Sequence, residues 1–153
     1  MKESLHTDFR EFCQLFNQHG VKYLLIGGYA VSYYGRPRNT AHIDFWVENS
    51  PENARRIVSA LREFGLDLPN LNEELFTRDE GIVRLGNSPW KIELFVSIPG
   101  VEFATCYANR GTWHVSPELD IPMISLPDLR TNKIASARPK DFADLAHHLP
   151  PTN

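Results

Sequence analysis

The chain has 153 residues, of which 42% are hydrophobic and 23% charged, and its formal net charge is -3. This length fits one domain, residues 1–153, that can bury a sizeable core. The mild acidity argues against a general nucleic-acid coat but leaves room for a local basic site. No apolar run approaches the roughly 18 residues of a membrane span, and no signal-peptide pattern is present. We therefore expect a cytoplasmic protein without a membrane partner.

The first half of the chain alternates helices with short apolar strands. Phe9, Phe12 and Phe16 recur at helical spacing and indicate a helix that faces the core, or a partner if the sheet leaves it uncovered. Thr7 or Asp8 would be its N-cap. The predicted elements are a helix over 7–19, a strand over 21–26, a helix over 29–35, a loop over 36–40, a strand over 43–47 and a helix from 50 to 65.

The second half predicts a hairpin, two further strands and two terminal helices. The predicted elements are a short helix near 72–76, strands over 81–86, 91–96, 112–115 and 121–125, a helical or irregular segment over 101–111, and helices over 126–137 and 139–149. This order predicts an α/β (α+β) domain, a small mixed sheet flanked by helices. Cys13 and Cys106 have no metal-binding spacing, so we expect buried free thiols.

Three polar side chains interrupt the apolar strands. Since side chains alternate across a strand, His42 and Asp44 share one face while Ile43 points to the other. Glu93 occupies the corresponding face of a later strand, opposite Ile92. If the two strands are neighbours, His42, Asp44 and Glu93 form a cluster suited to a divalent cation.

The pair Gly27-Gly28 lies where the first strand meets the following helix. Backbone N–H groups at a helix start, without Cβ atoms to obstruct them, allow a phosphate to approach closely. A phosphate cradle beside carboxylate-bound metal is the arrangement that phosphoryl and nucleotidyl transfer require. A tight strand-to-helix turn without a ligand is the alternative for these glycines.

The same residues carry a resemblance to a known family. LIGGYAVSYYGRPRNTAHIDFWV (25–47) resembles the minimal nucleotidyltransferase signature, in which a strand, a Gly-Gly pair and a spacer precede an acid-x-acid pair. WKIELFVSIPGVEF (90–103) is similar to the third-acid strand of that family. PMISLPDLRTNKIASARPKDFADL (122–145) is similar to the C-terminal segment of AbiEii-type toxins of type IV toxin–antitoxin systems. The likeness covers roughly residues 20 to 147.

The resemblance implies a nucleotidyltransferase fold and an activity. A nucleoside monophosphate would pass from an NTP to a hydroxyl of RNA or protein, with Mg²⁺ or Mn²⁺ as cofactor and an antitoxin as a partner. Asp44 matches the second acid and Glu93 the third, the group that orients or deprotonates the acceptor. The nucleotide-binding positions implied are Gly27, Gly28, Lys133, Arg138 and Lys140, with Asp141 and Asp144 in the same segment.

Position 42 departs from the family pattern, which has a carboxylate where this chain has His42. A neutral imidazole can ligate one ion but bridges two poorly, and it suits Mn²⁺ or Zn²⁺ better than Mg²⁺. Two hypotheses follow, an enzyme impaired by His42 and a catalytically inactive regulatory module that binds nucleotide or a protein partner.

Each candidate residue also has a plainer interpretation. Asp44 and His42 could lie on a solvated strand face, and Glu93 could pair with Lys91 or a basic residue across the strand. The basic residues of the C-terminal segment could form an ordinary solvated helix face. Arg36 and Arg38 could steer phosphates or simply aid solubility. His147 and His148 have no metal partner at useful spacing.

Overall fold

The computed structural model describes residues 5–37, 40–87 and 90–151. The helices are α1 (Thr7–Gln18), α2 (Gly27–Tyr34), α3 (Pro51–Phe64), α4 (Phe103–Ala108), α5 (Leu126–Ser136) and α6 (Pro139–Ala143), with a 3₁₀ turn at Glu73–Phe76 and a π-helical turn at Asp144–His148. The strands are β1 (Tyr23–Ile26), β2 (His42–Val47), β3 (Ile82–Asn87), β4 (Trp90–Phe95), β5 (Gly111–Ser116) and β6 (Leu119–Met123).

The strands form one mixed sheet in the order β3-β4-β2-β1-β6-β5. β2 runs parallel to β4 and antiparallel to β1, whereas β1 runs parallel to β6. The outer pairs β3–β4 and β5–β6 are antiparallel hairpins. The predicted class, a small mixed sheet with helices on it, is confirmed.

The central strands and two long helices build the core. All of β1 is buried, and Phe9, Phe12 and Phe16 of α1 pack inside, as the helical stripe predicts. Phe12 stacks on Phe45 of β2 with ring centroids 5.5 Å apart. Cys13 and Cys106 are buried free thiols, as expected.

Local signals set the bounds of α3. The Ser50 hydroxyl accepts from the Asn53 N–H at 3.1 Å, and Gly65 ends the helix in the left-handed conformation with φ of 104°. The predicted bounds for this helix are confirmed, since both signals act within one turn of the helix end.

Other bounds differ from the prediction, and at the start of α1 the cause is a local cap contact. His6, not Thr7 or Asp8, caps α1, its Nδ1 accepting from the Asp8 N–H at 3.2 Å. α2 starts at Gly27 rather than after the glycine pair. The predicted helix over 139–149 is α6 followed by the π-helical turn. In the parts of the chain that the structure describes, no helix has the length and apolar character to cross a bilayer.

Candidate active-site cleft

The sheet register brings an acidic pair and an arginine into one row. Asp44 of β2 lies opposite Glu93 of β4, and Glu93 lies opposite Arg84 of β3. On the other side, Asp44 faces Ile26, the last residue of β1. The predicted neighbourhood of Asp44 and Glu93 is therefore confirmed. Arg84 is the cross-strand basic partner of Glu93, with its Nε 2.7 Å from Glu93 Oε2.

Gly27 gives the Asp44 carboxylate its space. The backbone of Gly27 has φ of 70°, a conformation that L-residues with side chains rarely adopt. A Cβ added there would overlap Asp44 Oδ2. The glycine thus permits close approach between a strand carboxylate and the first turn of α2. Gly28 is buried inside that helix and does not line the cleft.

The surroundings of Asp44 disfavour its charged form. Burial raises its pKa to about 7, and the like charge and hydrogen bonding of Glu93 act in the same direction. The positive charges of Lys140 and Lys133 counteract part of that shift. Asp44 Oδ1 is buried without a hydrogen-bond partner among the described residues. An external cation would relieve both the repulsion and the unsatisfied oxygen.

A basic segment from α5 and α6 forms another wall of the site. Lys133 is only 3% exposed, and its Nζ lies 3.2 Å from Asp141 Oδ1 and 3.1 Å from Asp144 Oδ2. The alternative of a solvated helix face is therefore wrong for Lys133. It is a buried ion-pair centre whose two acidic partners come from the next helical segment.

Arg138 is anchored by the same acidic cluster. Its Nε donates to Asp141 Oδ2 at 2.8 Å, and its backbone N–H donates to that oxygen at 3.1 Å. Burial acts to raise the pKa of Asp141, but hydrogen bonds from Arg138, Ser136 and Lys133 outweigh it and hold that pKa well below its usual range. The anchored Arg138 side chain is still 57% exposed, and Lys140 is exposed beside it.

These walls enclose a cleft of about 490 Å³. Its polar residues include both acids and the three basic residues implied by the resemblance, whereas its apolar side is formed by Ile82, Phe95, Ile98 and Pro99. The predicted site residues that line it are Gly27, Asp44, Glu93, Lys133, Arg138 and Lys140. Residues as distant in sequence as Gly27 and Lys140 therefore line one concave surface.

Other predicted residues lie elsewhere. His42 is exposed at the start of β2, opposite Lys91, and does not line the cleft. Among the described residues, no group of three or more His, Cys, Asp or Glu side chains is arranged to hold a metal ion. Arg36 lines a separate depression beside His147 and His148. Arg38 lies outside the described residues.

The donor set nevertheless suits one hard cation. Asp44 and Glu93 supply neighbouring carboxylate oxygens, and Asp44 Oδ1 is buried without a hydrogen-bond partner among the described residues. A Mg²⁺ or Mn²⁺ ion would meet these needs at the Asp44–Glu93 pair. His42 as a further ligand stays a prediction.

The sequence interpretation missed Arg84, Asn132 and Ser136, which also line the cleft. The predicted hairpin could have pointed to Arg84, because in the register that the structure shows it places Arg84 opposite Glu93. Asn132 and Ser136 gave no such signal, since α5 docks through contacts distant in sequence. Its Asn132 Nδ2 donates to the Pro99 carbonyl at 2.9 Å.

Comparison with known proteins adds no identification. No family model matches the chain, and a search of curated proteins likewise returned no match.

Proposed function

We propose that this chain is a metal-dependent nucleotidyltransferase that moves a nucleoside monophosphate from an NTP to a hydroxyl of RNA or protein. The observation that carries the proposal is the convergence of the Asp44–Glu93 pair and the basic segment on one cleft. A toxin-like context and an antitoxin partner are part of the proposal and come from the resemblance alone.

The charges of the cleft match a triphosphate and its cation. Arg138 and Lys140 are exposed basic groups on one wall, suited to phosphate oxygens. The acidic pair in the same cleft suits the divalent ion that accompanies an NTP. The apolar side formed by Phe95, Ile98 and Pro99 offers a surface for a base or for the acceptor.

In the proposed reaction, the acceptor oxygen forms a bond to the α-phosphorus while the bond from that phosphorus to the bridging oxygen breaks. Pyrophosphate leaves with the electron pair, and Glu93 accepts the hydroxyl proton. Arg138 and Lys140 hold the phosphate chain and compensate the charge of the leaving pyrophosphate. A divalent ion, when bound, supplies charge neutralisation at the reacting phosphate.

The test is transfer of label from α-labelled NTPs to bulk RNA or protein with Mg²⁺ or Mn²⁺. We expect transfer by the wild type and a loss of at least about a hundredfold in Asp44→Asn, which removes the buried carboxylate charge. Asp120→Asn is the matched control, because Asp120 is an exposed acid paired with His114 away from the cleft. Transfer that is equal in Asp44→Asn and wild type would refute the proposal.

The exposed position of His42 favours a second candidate, a nucleotide- or partner-binding regulatory module without catalysis. Under that hypothesis, ATP binds the wild type but no label transfers. If His42→Asp then gains transfer, position 42 is the cause of inactivity. If none of the four NTPs binds the wild type or this variant, the nucleotidyltransferase and the nucleotide-binding module are both wrong.

A further inference from the structure

Arg84 occupies a position that the proposed chemistry does not use. It is the third member of the row Asp44–Glu93–Arg84, on three adjacent strands, and its side chain is 63% exposed within the cleft wall. Glu93, by contrast, is only 17% exposed. The arginine therefore places a monovalent positive charge directly on one of the two carboxylates suited to a divalent ion.

The remaining cations near the pair act differently. Lys133 is held between Asp141 and Asp144, so much of its charge is already compensated inside the fold. Lys140 and Arg138, which line the same cleft, act on Asp44 through their positive charges. Arg84 contacts the acidic pair directly, through the 2.7 Å ion pair between its Nε and Glu93 Oε2.

We propose that Arg84 is a built-in cation that competes with a divalent ion for the Asp44–Glu93 pair. A divalent ion at this pair would lose one Glu93 oxygen to the guanidinium and be repelled by it at short range. Arg84 therefore keeps the affinity of the free protein for divalent ions low. This inference concerns the cation site of the proposed function and rests on that proposal for its biological meaning.

The experiment measures Mn²⁺ binding in the absence of nucleotide, by the loss of the free-ion electron paramagnetic resonance signal. The variants are Arg84→Gln, which keeps length and polarity but removes the charge, and Arg84→Lys, which retains the charge. We expect Arg84→Gln to bind Mn²⁺ about tenfold more tightly than wild type, since exposure reduces the full Coulombic effect. Arg84→Lys should remain within about threefold of wild type.

Arg56→Gln is the matched control. Arg56 forms an exposed surface pair with Glu52 at 2.8 Å on α3, outside the cleft. The Arg56→Gln variant should bind Mn²⁺ like the wild type. If the tighter binding by Arg84→Gln came only from the loss of one arginine charge or from a general structural effect, Arg56→Gln would show it too. Circular dichroism verifies that each variant is folded.

The outcomes separate this inference from the proposed function. Binding of Mn²⁺ by Arg84→Gln no tighter than by wild type overturns the competition, as does an equal gain in Arg56→Gln. The affinity for Mn²⁺ could rise only in Arg84→Gln while the protein transfers no label and binds no ATP. That result would support the competition between Arg84 and the divalent ion and would refute the nucleotidyltransferase proposal.

Discussion

Two acidic clusters in this fold use the same residue type in opposite ways. Asp141 and Asp144 are almost completely buried, yet Lys133 lies between them, and Arg138 also binds Asp141. Asp44 is less buried, but its carboxylate neighbour Glu93 carries the same charge, and Asp44 Oδ1 has no partner among the described residues.

The difference shows that burial alone does not decide the state of a carboxylate. Hydrogen bonds hold the pKa of Asp141 low, whereas burial and like charge raise that of Asp44 to about 7. A buried acid with an internal cation stabilises the structure. A buried acid with an unsatisfied oxygen, such as Asp44, is suited to a cation from outside.

The largest effect should follow removal of the internal cation. Lys133→Met leaves Asp141 and Asp144 with an uncompensated buried charge, so we expect it to lower the free energy of unfolding by about 3–5 kcal/mol. Urea denaturation measures the loss. Lys140→Met, an exposed lysine of the same wall, is the control and should change stability by less than about 1 kcal/mol. Similar losses in both variants would contradict the structural role of Lys133.

The next test concerns the space that Asp44 occupies. Gly27 and Gly20 both have φ of 70°, but a Cβ at Gly20 meets nothing within 4 Å, whereas one at Gly27 overlaps Asp44. Gly20→Ala should cost about 1 kcal/mol for the backbone conformation, and Gly27→Ala about 1–3 kcal/mol more. The extra cost should fall in part in the double variant Gly27→Ala with Asp44→Ala, because the overlapping carboxylate is gone and only the tight contact with the Cβ of residue 44, at 3.0 Å, remains. Equal costs at both glycines would mean that the contact with Asp44 does not matter.

A third test uses pH, where the two clusters act in opposite directions. The pKa of Asp44 is raised in the folded state from 3.8 to about 7. The stability that its protonation contributes is therefore fully present below about pH 4 and is lost as the pH rises towards 7. The pKa of Asp141 is lowered in the folded state, so the stability that its charged form contributes is present at pH values above the ordinary pKa of an aspartate. That contribution is lost on acidification.

We expect Asp44→Asn to remove a decline on the order of 3 kcal/mol in unfolding free energy between pH 4 and 7. Denaturation at a series of pH values in metal-free buffer measures it. Asp120→Asn should retain the decline, since Asp120 is an exposed acid remote from the cleft. A flat profile in the wild type would contradict the raised pKa of Asp44.

The smallest expected effect is a change in anion binding. Lys140→Gln should weaken binding of tripolyphosphate by about three- to tenfold while leaving stability nearly unchanged, since an exposed cation contributes modestly. Isothermal titration calorimetry measures the affinity. Lys22→Gln is the control, a surface lysine paired with Glu48 outside the cleft. An equal loss of tripolyphosphate affinity in both variants would indicate an effect of the overall charge of the protein and not of a specific site.

The predictable part of this molecule rests on signals that act locally. Ser50 and Gly65 bound α3 by contacts within a turn, and strand alternation placed Asp44 and Glu93 on matching faces. The burial of Lys133 was not predictable, because its partners belong to a segment whose docking depends on the whole fold. The need for Gly27 likewise depends on a carboxylate from another strand.

The strand order has a consequence for synthesis of the chain. β1 is among the first elements to be made, yet its parallel neighbour β6 follows four other strands in sequence. At ordinary translation rates, one edge of the apolar strand β1 therefore remains unpaired for seconds until β6 has been synthesised. Such an edge is a template for pairing with other chains. Nascent or truncated forms that end before Leu119 should consequently aggregate or require a chaperone.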